Sequence, residues 1–320
     1  MSVFLRKFFT LFTSICLGFS SSIALTLTAQ AEDLAEEALP ITPVSFTDVS
    51  EENYHYIPIL ALAEEGIING YEDGTFKPYE TVNRAEALKI ILEAFNTPPA
   101  EYDNLDENPF KDTAKNSWYA SYIAYAKDQE IITGYNDDEF EPWKTINLAE
   151  SLKILEESLP NYLPNPATED PFVDVTMNDW HVDYLQYAKN REMVNISASG
   201  KVYPGQEMTR GYLAEVIYKL KNFGKYSFGK GTFYGTAFDG RGTASGDTFD
   251  MTAMTAAHKT LPFDSIVEVT NMANGKSLQV RINDRGPYGH GRVIDLSQAA
   301  FEKIAGLHRG IINVQYRVIE

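Results

Sequence analysis

The chain has 320 residues, of which 44% are hydrophobic and 22% are charged, so global disorder is excluded and two or more folded domains are expected. Its net charge of −18 is concentrated in residues 32–225, whereas residues 226–320 carry 10 basic and 9 acidic side chains. Because nucleic-acid phosphates require a basic surface, this balance argues against nucleic acid as a partner.

Residues 1–31 have the pattern of an export signal. A basic pair at residues 6–7 precedes the apolar residues 8–27, and an A-x-A cleavage site follows at residues 29–31. An uncleaved membrane anchor is the alternative, since the apolar run approaches the length of a membrane span. Cleavage is favoured, which predicts an exported chain without a membrane span. It would also remove Cys16, the one cysteine, and with it any disulfide or thiol chemistry.

The acidic part of the chain repeats itself, first after 64 and then after 62 residues. The matching positions are Phe46, Phe110 and Phe172, then Pro78, Pro142 and Pro204, then Arg84, Leu148 and Arg210. Each unit predicts helix, turn, helix. In the first unit, helical spacing runs from Tyr56 to Ile68, and Thr81 or Asn83 can cap the second helix. The pattern predicts an all-α module of three repeats over residues 44–96, 108–158 and 170–222.

The first unit reads FTDVSEENYHY and then EEGIINGYEDGTFKPYETVNRAEALKIIL, and it resembles S-layer homology (SLH) repeats. The resemblance implies a module that attaches exported proteins to a secondary cell-wall polymer of the bacterial envelope. In that family a T-R-A-E arginine contacts anionic glycan, which implies Arg84 and Arg210 here, whereas Leu148 replaces it in the second unit. The bidentate guanidinium suits a carboxylate ligand. The alternative is a helix-start arginine paired with Glu86.

After Lys221 the hydrophobic period changes from helical to alternating. Residues 223–229 are predicted as a linker, and residues 230–320 as a small closed β-barrel with one short helix capped by Ser297. The supporting segments are the strand-like run Ser265–Thr270, the hairpin signal Asn274-Gly275, the alternating Leu278, Val280 and Ile282, and the alternating Val314, Tyr316 and Val318.

The barrel also holds the clearest candidates for chemistry, in TAAHKTLPF, VRINDRGP and GRVIDLS. His258 and Asp284 can both transfer protons near neutral pH if the site tunes the carboxylate. Asp284 ends a strand-like run, and the following Gly-Pro forces a turn. The alternative for Asp284 is a turn aspartate bonded to its own backbone or to Arg285. Asp295 directly precedes the helix and is interpreted as structural.

These segments, with GTFYGTAFDGRGTASGDTFD before them, resemble the RlpA (rare lipoprotein A) family, whose domain is a double-psi β-barrel. The resemblance implies an endolytic lytic transglycosylase that cleaves the MurNAc–GlcNAc bond of peptidoglycan, forms 1,6-anhydroMurNAc and prefers peptide-stripped strands. It implies Asp284 as sole acid/base and His258 as its companion, which hydrogen-bonds or orients the site. The alternative for His258 is an ordinary half-buried histidine satisfied by the backbone. Asp247, the third predicted catalytic residue, stands where the family usually has Glu. Proton transfer to a sugar needs no metal or cofactor, and none is predicted.

Three further residues are candidate sugar contacts: Tyr234, Arg241 and Arg285. Core packing is an equal alternative for Tyr234. Two other functions stay open for the whole chain, a non-catalytic expansin-like peptidoglycan-binding protein and a structural surface-layer component. The Asp247 departure keeps the first of these open, whereas a structural barrel would need neither His258 nor Asp284.

Overall fold

The computed structural model describes residues 44–98, 100–135, 138–160, 162–163 and 166–320, and Val44–Glu320 forms one compact unit. The predicted export signal at residues 1–31, with Cys16, lies outside the described residues. No helix in the described part of the chain is long and apolar enough to cross a membrane.

Six α-helices of the described residues lie before the barrel. They are α1 (Tyr56–Glu64), α2 (Arg84–Phe95), α3 (Ala120–Asp128), α4 (Leu148–Glu157), α5 (Val182–Asn190) and α6 (Arg210–Lys221). Asn83 caps α2, because its side chain accepts a hydrogen bond from the Glu86 amide at 2.9 Å and the Glu86 carboxylate accepts one from the Asn83 amide at 3.2 Å. Of the two predicted caps, Asn83 is therefore the one used.

The first helix is shorter than its apolar spacing predicts. It ends at Glu64, and Gly66 then adopts a φ of 75°, a left-handed conformation that glycine reaches without a Cβ clash. Ile67 and Ile68 follow the helix and are 8% and 3% exposed. Their helical spacing therefore reflects burial in the core and not continuation of the helix.

The segments that precede α2, α4 and α6 meet at the centre of the helical region. Val82 donates its amide hydrogen to Met208 O at 2.9 Å, Met208 donates to Ile146 O at 2.9 Å, and Ile146 donates to Val82 O at 3.2 Å. All three side chains are fully buried. This closed ring of hydrogen bonds joins the helix pairs at positions that are equivalent in the repeat register.

The C-terminal part forms a closed six-stranded barrel in the order β1-β5-β2-β4-β3-β6, as the alternating pattern predicts. The strands are β1 (Ser227–Tyr234), β2 (Thr255–His258), β3 (Ile266–Asn271), β4 (Ser277–Asp284), β5 (Arg292–Ser297) and β6 (Ile312–Val318). β1 runs parallel to β5, and β2 parallel to β4, whereas the other neighbours are antiparallel. The helix α7 (Gln298–Ile304), capped by Ser297 as predicted, packs its buried Phe301 against the barrel core.

The helical region and the barrel share a packed boundary. β1 begins at Ser227, inside the stretch predicted as a linker, and Phe228 is buried in the apolar core of the helical region together with Met272 of the barrel. The Phe228 amide donates to the Glu192 carboxylate at 2.6 Å, and the Ile57 amide donates to Met272 O at 3.1 Å. Residues 223–229 are therefore not a free tether.

A methyl group added at Gly211, the second residue of α6, would collide with its surroundings. Its Cβ would lie 2.6 Å from His55 Cδ2 and 2.8 Å from Pro78 O. We expect Gly211→Ala to lower the free energy of unfolding by about 1–3 kcal/mol through overpacking, although alanine is the better helix former. Urea unfolding measures the change. Gly205→Ala is the matched control, because a Cβ there meets no atom within 4 Å, and an equal loss in both variants would contradict the prediction.

Candidate functional site

Asp284 is half-buried at the end of β4, with one carboxylate oxygen fixed and the other available. Its Oδ1 accepts hydrogen bonds from the Ala244 amide at 2.9 Å and the Arg285 amide at 2.8 Å. Oδ2 makes no hydrogen bond within the described residues. The bond from Arg285 is the local turn contact considered above, but the bond from Ala244 joins Asp284 to a loop 40 positions away.

A second carboxyl lies in the same row of the sheet. Ala257 of β2 pairs with Asp284 on β4 and with Asp295 on β5. A register shift between β2 and β4 places Asp284, and not Asn283, opposite Ala257, which is how a β-bulge redirects a side chain. Directly paired residues share a face of the sheet, so both carboxyls flank the small Ala257. Two strand spacings put their Cα atoms about 10 Å apart.

This row lies on the outer face of the barrel. Ile294 and Leu296, which alternate with Asp295 along β5, are fully buried in the barrel core, as is Ala256 beside Ala257. Because successive residues of a strand point to opposite faces, Asp295 and Ala257 face away from the core. The two carboxyls are half-buried and lie outside the apolar core of the barrel.

Asp295 is a carboxyl whose protonated form is favoured by burial. Burial raises the pKa of Asp295, and the nearby charge of Asp284 raises it further. Thr232, its partner on β1, donates a hydrogen bond to Asp295 Oδ1 at 2.8 Å. The sequence predicts a structural role for Asp295, because its local pattern indicates the following helix but does not reveal the pairing of Asp295 with Ala257.

Asp247 binds an arginine that sequence reasoning missed. Its Oδ2 accepts from Arg281 Nη2 at 2.7 Å, and this bond is the main reason that the pKa of Asp247 is lowered. Arg281 also binds Asp264 at 2.8 Å. The position of Arg281, two residues before Asn283-Asp284 in an alternating strand, was the available signal. No three His, Cys, Asp or Glu side chains of the described residues are placed to hold one metal ion.

The loop that carries Asp247 also delivers the amide that binds Asp284. Thr243 donates its amide hydrogen to Asp247 O at 2.8 Å, and the Ser245 amide donates to Asn283 O at 3.2 Å. Ala244 lies between them. The structure therefore links Asp247 to Asp284 through the backbone of this loop.

His258 is buried and both of its ring nitrogens are engaged. Nδ1 accepts from the amides of Thr260 at 3.2 Å and Leu261 at 3.0 Å, and Nε2 lies 3.1 Å from Tyr316 Oη. Because backbone amides donate to Nδ1, the neutral ring carries its proton on Nε2, and burial lowers the pKa of His258. The ring makes no bond to Asp284. Its link to that turn is the His258 carbonyl, which accepts from Arg285 Nη1 at 3.3 Å.

The two predicted arginine contacts lie against aromatic rings. The Arg285 guanidinium is 3.7 Å from the centre of the Phe263 ring. The Arg241 guanidinium is 5.5 Å from the ring of Phe238, which is itself 51% exposed. Arg241 is exposed, whereas Arg285 is half-buried.

Tyr234 combines the two interpretations considered for it. Its ring packs 4.2 Å from the ring of Phe249, as a core residue would. Its hydroxyl is buried and, within the described residues, has no hydrogen-bond partner. Burial raises the pKa of Tyr234, and the charges of Asp284 and Asp295 raise it further. The phenol therefore lies close to the carboxyl pair.

Arg84 and Arg210 are 7% and 8% exposed, and each donates a hydrogen bond to the backbone of another repeat. Arg84 Nε donates to Phe140 O at 2.9 Å, and Arg210 Nε donates to Phe76 O at 2.8 Å. Neither arginine pairs with Glu86, which serves the cap of α2. Each guanidinium also lies against a tyrosine, at 4.8 Å from the ring centre in both cases.

Each arginine reaches the wall of a pocket between helix pairs, and the two pockets are built alike. Their volumes are about 340 Å³ around Arg84 and 250 Å³ around Arg210. The first is lined by Arg84, Tyr135, Glu150, Lys153 and Trp180, and the second by Arg210, Tyr71, Glu86, Lys89 and Trp118. The lysines and tryptophans were not among the predicted site residues, although they too recur at matching repeat positions. Leu148 is fully buried.

Comparison with known proteins connects the barrel to peptidoglycan enzymes. Residues 227–316 match the family model described as lytic transglycolase. The chain is 50% identical over 110 residues to the Vibrio cholerae endolytic peptidoglycan transglycosylase RlpA, covering 34% of this chain and 41% of that protein. The Pseudomonas aeruginosa protein of the same name is 47% identical over 109 residues, covering 34% and 32%. The chain thus spans less than half the length of these relatives.

The helical region matches a different family. Residues 45–88 and 109–150 match the S-layer homology domain model, and a third repeat stays a prediction. Among solved structures, the Streptomyces papain inhibitor is 29% identical at a TM-score of 0.26, covering 30% of this chain and 96% of that chain. Both predicted resemblances are confirmed: the barrel is similar to the RlpA family of lytic transglycosylases, and the helical region carries S-layer homology domains.

Proposed function

We propose that the barrel is an endolytic lytic transglycosylase that cleaves the MurNAc–GlcNAc bond of peptidoglycan, forms 1,6-anhydroMurNAc and prefers strands without stem peptides. The observation that carries the proposal is the pair of carboxyls, Asp284 and Asp295, on either side of Ala257 on the outer face of the barrel. The names of the relatives support the reaction class. A single acid/base at Asp284, as predicted from the sequence, becomes one half of a pair.

Asp295 is the proton donor in this mechanism, because burial favours its neutral form. It protonates the oxygen that links MurNAc to GlcNAc, and the bond from C1 to that oxygen breaks. Asp284, whose Oδ2 is free, stabilises the positive charge that develops at C1. The MurNAc 6-hydroxyl then attacks C1 and gives its proton to Asp284, which closes the anhydro ring without consuming water. Proton exchange between the two carboxyls restores the starting state.

The remaining predicted residues act around this pair. Asp247 and Arg281 hold the loop whose Ala244 amide binds Asp284. His258 is a positioning residue, since its bond to Tyr316 fixes the end of β2 that carries Ala257. Arg241, Arg285 and Tyr234 are the proposed sugar contacts.

The helical region is proposed to be a three-repeat SLH module that holds the exported enzyme at the bacterial cell envelope through a secondary cell-wall polymer. Support comes from the two like pockets, in which Arg, Lys, Trp, Tyr and Glu recur in the same arrangement. Each pocket offers cationic donors beside exposed indole rings, a combination that suits an anionic sugar. Leu148, which replaces the arginine in the second repeat, is fully buried and offers no such donor.

A second carboxyl also favours one other function, an inverting glycoside hydrolase. In such enzymes one carboxyl protonates the leaving group while another, roughly 6.5–9.5 Å away, activates water. The spacing of the Asp284 and Asp295 strands allows a separation of this order. A hydrolase would leave a reducing MurNAc end, and an expansin-like binder or a structural component would leave the strands uncut.

One experiment separates these functions. Chain lacking residues 1–31 is incubated with amidase-stripped peptidoglycan, and the products are identified by mass spectrometry. We expect fragments that end in 1,6-anhydroMurNAc. Fragments with reducing MurNAc ends would establish the hydrolase instead, and intact strands would contradict an enzymatic function.

For the anchor, we expect Arg84→Ala with Arg210→Ala to reduce binding to isolated cell walls by about tenfold or more, since each change removes a guanidinium cation from the wall of a pocket. Wall pulldown of the full-length mature chain measures the effect. Lys276→Ala, an exposed lysine on the barrel, is the control. Equal binding by the double variant and the control, with an unchanged circular dichroism spectrum, would contradict the proposed site.

A further inference from the structure

A cavity of about 220 Å³ lies where the helical region meets the barrel, and none of the predicted sites includes it. α5 and α6 contribute Lys189 and Lys219, and the barrel contributes Lys230, Lys259 and Arg292. Glu192 is the one carboxylate among its lining residues. The chain as a whole carries a net charge of −18, whereas the lining of this cavity, with five cations and one carboxylate, is positively charged.

Only part of this positive charge is neutralised inside the protein. Lys219 pairs with the buried Glu215 at 2.7 Å, and Lys230 donates to Ile196 O at 2.9 Å. Lys189, Lys259 and Arg292 have no carboxylate within ion-pair distance in the described part of the chain. Burial lowers the pKa of Lys230, and the charges of Lys219 and Arg292 lower it further, as expected where several cations cluster.

The cavity adjoins the carboxyl pair along two strands. Lys259 follows Ala257 by two residues, about 7 Å further in the direction of β2, and Arg292 precedes Asp295 by three residues, about 10 Å along β5. The charge of Arg292 acts on the pKa of Asp295, which also indicates proximity. A sugar near the one being cleaved can therefore reach the cavity.

We propose that this junction cavity binds the free lactyl carboxylate of a MurNAc residue in a peptide-free glycan strand. The inference rests on the proposed function of the barrel and gives a physical reason for its substrate preference. A stem peptide converts the lactyl carboxylate into a neutral amide, whereas removal of the peptide exposes the anion. Cations that lack an internal partner gain from binding that anion and gain nothing from the amide.

The test changes one exposed lysine from each side of the cavity, Lys189→Gln with Lys259→Gln. Arg292 stays in place because its charge also acts on Asp295. With peptide-free strands, we expect KM to rise about tenfold, equivalent to roughly 1.4 kcal/mol, while kcat stays within twofold. With peptide-free strands whose lactyl carboxylates have been amidated, wild type is expected to lose the same factor and the variant to lose nothing more.

Lys303→Gln, an exposed lysine on α7, is the matched control and is expected to behave as wild type with both substrates. Binding of the two strand types to the Asp284→Asn chain, measured by calorimetry, keeps the inference separate from catalysis. A wild type that binds free and amidated strands equally would overturn the inference, whether or not it cleaves them. So would a double variant that loses affinity for isolated wall polymer but not for peptide-free strands. Binding that discriminates between the strands without any anhydro product would uphold the inference and refute the proposed reaction.

Discussion

Replacing Asp295 by Asn is expected to lower kcat for peptide-free glycan strands by about 10²–10⁴-fold, the usual effect of losing a general acid or base. Asparagine keeps the shape of the side chain and can still accept the hydrogen bond from Thr232, but it has no proton to give. Asp284→Asn is expected to lower kcat by a similar factor. Product release from defined strands, followed by mass spectrometry, measures both.

The pH dependence follows from the raised pKa of Asp295. Because the reaction needs protonated Asp295, the rate should fall as pH rises through that pKa. Stability changes in the same direction: a carboxyl whose pKa is higher in the folded state favours folding fully at low pH, and this contribution disappears as pH rises through the folded value. Asp295→Asn should therefore not lower the melting temperature at pH 7, although it abolishes most activity.

Asp250→Asn is the control for this pair, since Asp250 bonds only within its own exposed turn, to Thr252. It is expected to retain wild-type activity. A kcat for Asp295→Asn within twofold of wild type would remove Asp295 from the mechanism. Loss of activity together with a large fall in melting temperature would indicate a structural role instead.

Lys219→Met is expected to lower the free energy of unfolding at pH 7 by about 3–5 kcal/mol, because it leaves a buried carboxylate without its main partner. Lys219 and Glu215 are 4% and 0% exposed and lie 2.7 Å apart on α6. His55 Nδ1 also binds Glu215, at 2.8 Å. Denaturant unfolding of the full chain measures the loss, and adding Glu215→Leu should recover most of it.

The loss should shrink in acid. Burial alone would raise the pKa of Glu215, but Lys219 and His55 together lower it to about 2. The stabilising contribution of a carboxylate with a lowered pKa is present above its ordinary value and disappears as pH falls through the folded value. Lys221→Met, also on α6, breaks a partly exposed pair with Glu65, which directly follows α1, and should cost less than about 1 kcal/mol. Equal losses for both lysines would contradict the assignment.

Local signals in the sequence were sufficient for much of the fold. Asn83 and Ser297 cap helices where their side chains predict, and the alternation of Val280 and Ile282 marks a barrel strand. Helical spacing failed at Ile67 and Ile68, because burial after a turn produces the same apolar pattern as burial on a helix. Gly66, which has a φ of 75°, is the residue in the sequence that indicates the earlier helix end.

The site depends on pairings that no local pattern contains. Asp284 was identifiable from its turn, but Asp295 becomes its companion only through Ala257, which lies between them on a third strand. His258 and its partner Tyr316 are 58 positions apart. A one-residue register shift decides which residue stands opposite Ala257, and a sequence pattern of alternating residues does not encode it.

The burial of Phe228 in the helical core has a consequence for where on the wall the enzyme could act. If the helical region is the proposed anchor, the packing of β1 against it would restrict the barrel to glycan strands that pass at a limited height and angle. A flexible linker would not impose that restriction. The position of a glycan strand relative to the anchor, as well as its chemistry, would then decide whether the carboxyl pair cleaves it. Cuts would fall at a set distance from each anchoring polymer, so the arrangement of those polymers would determine the arrangement of the cuts.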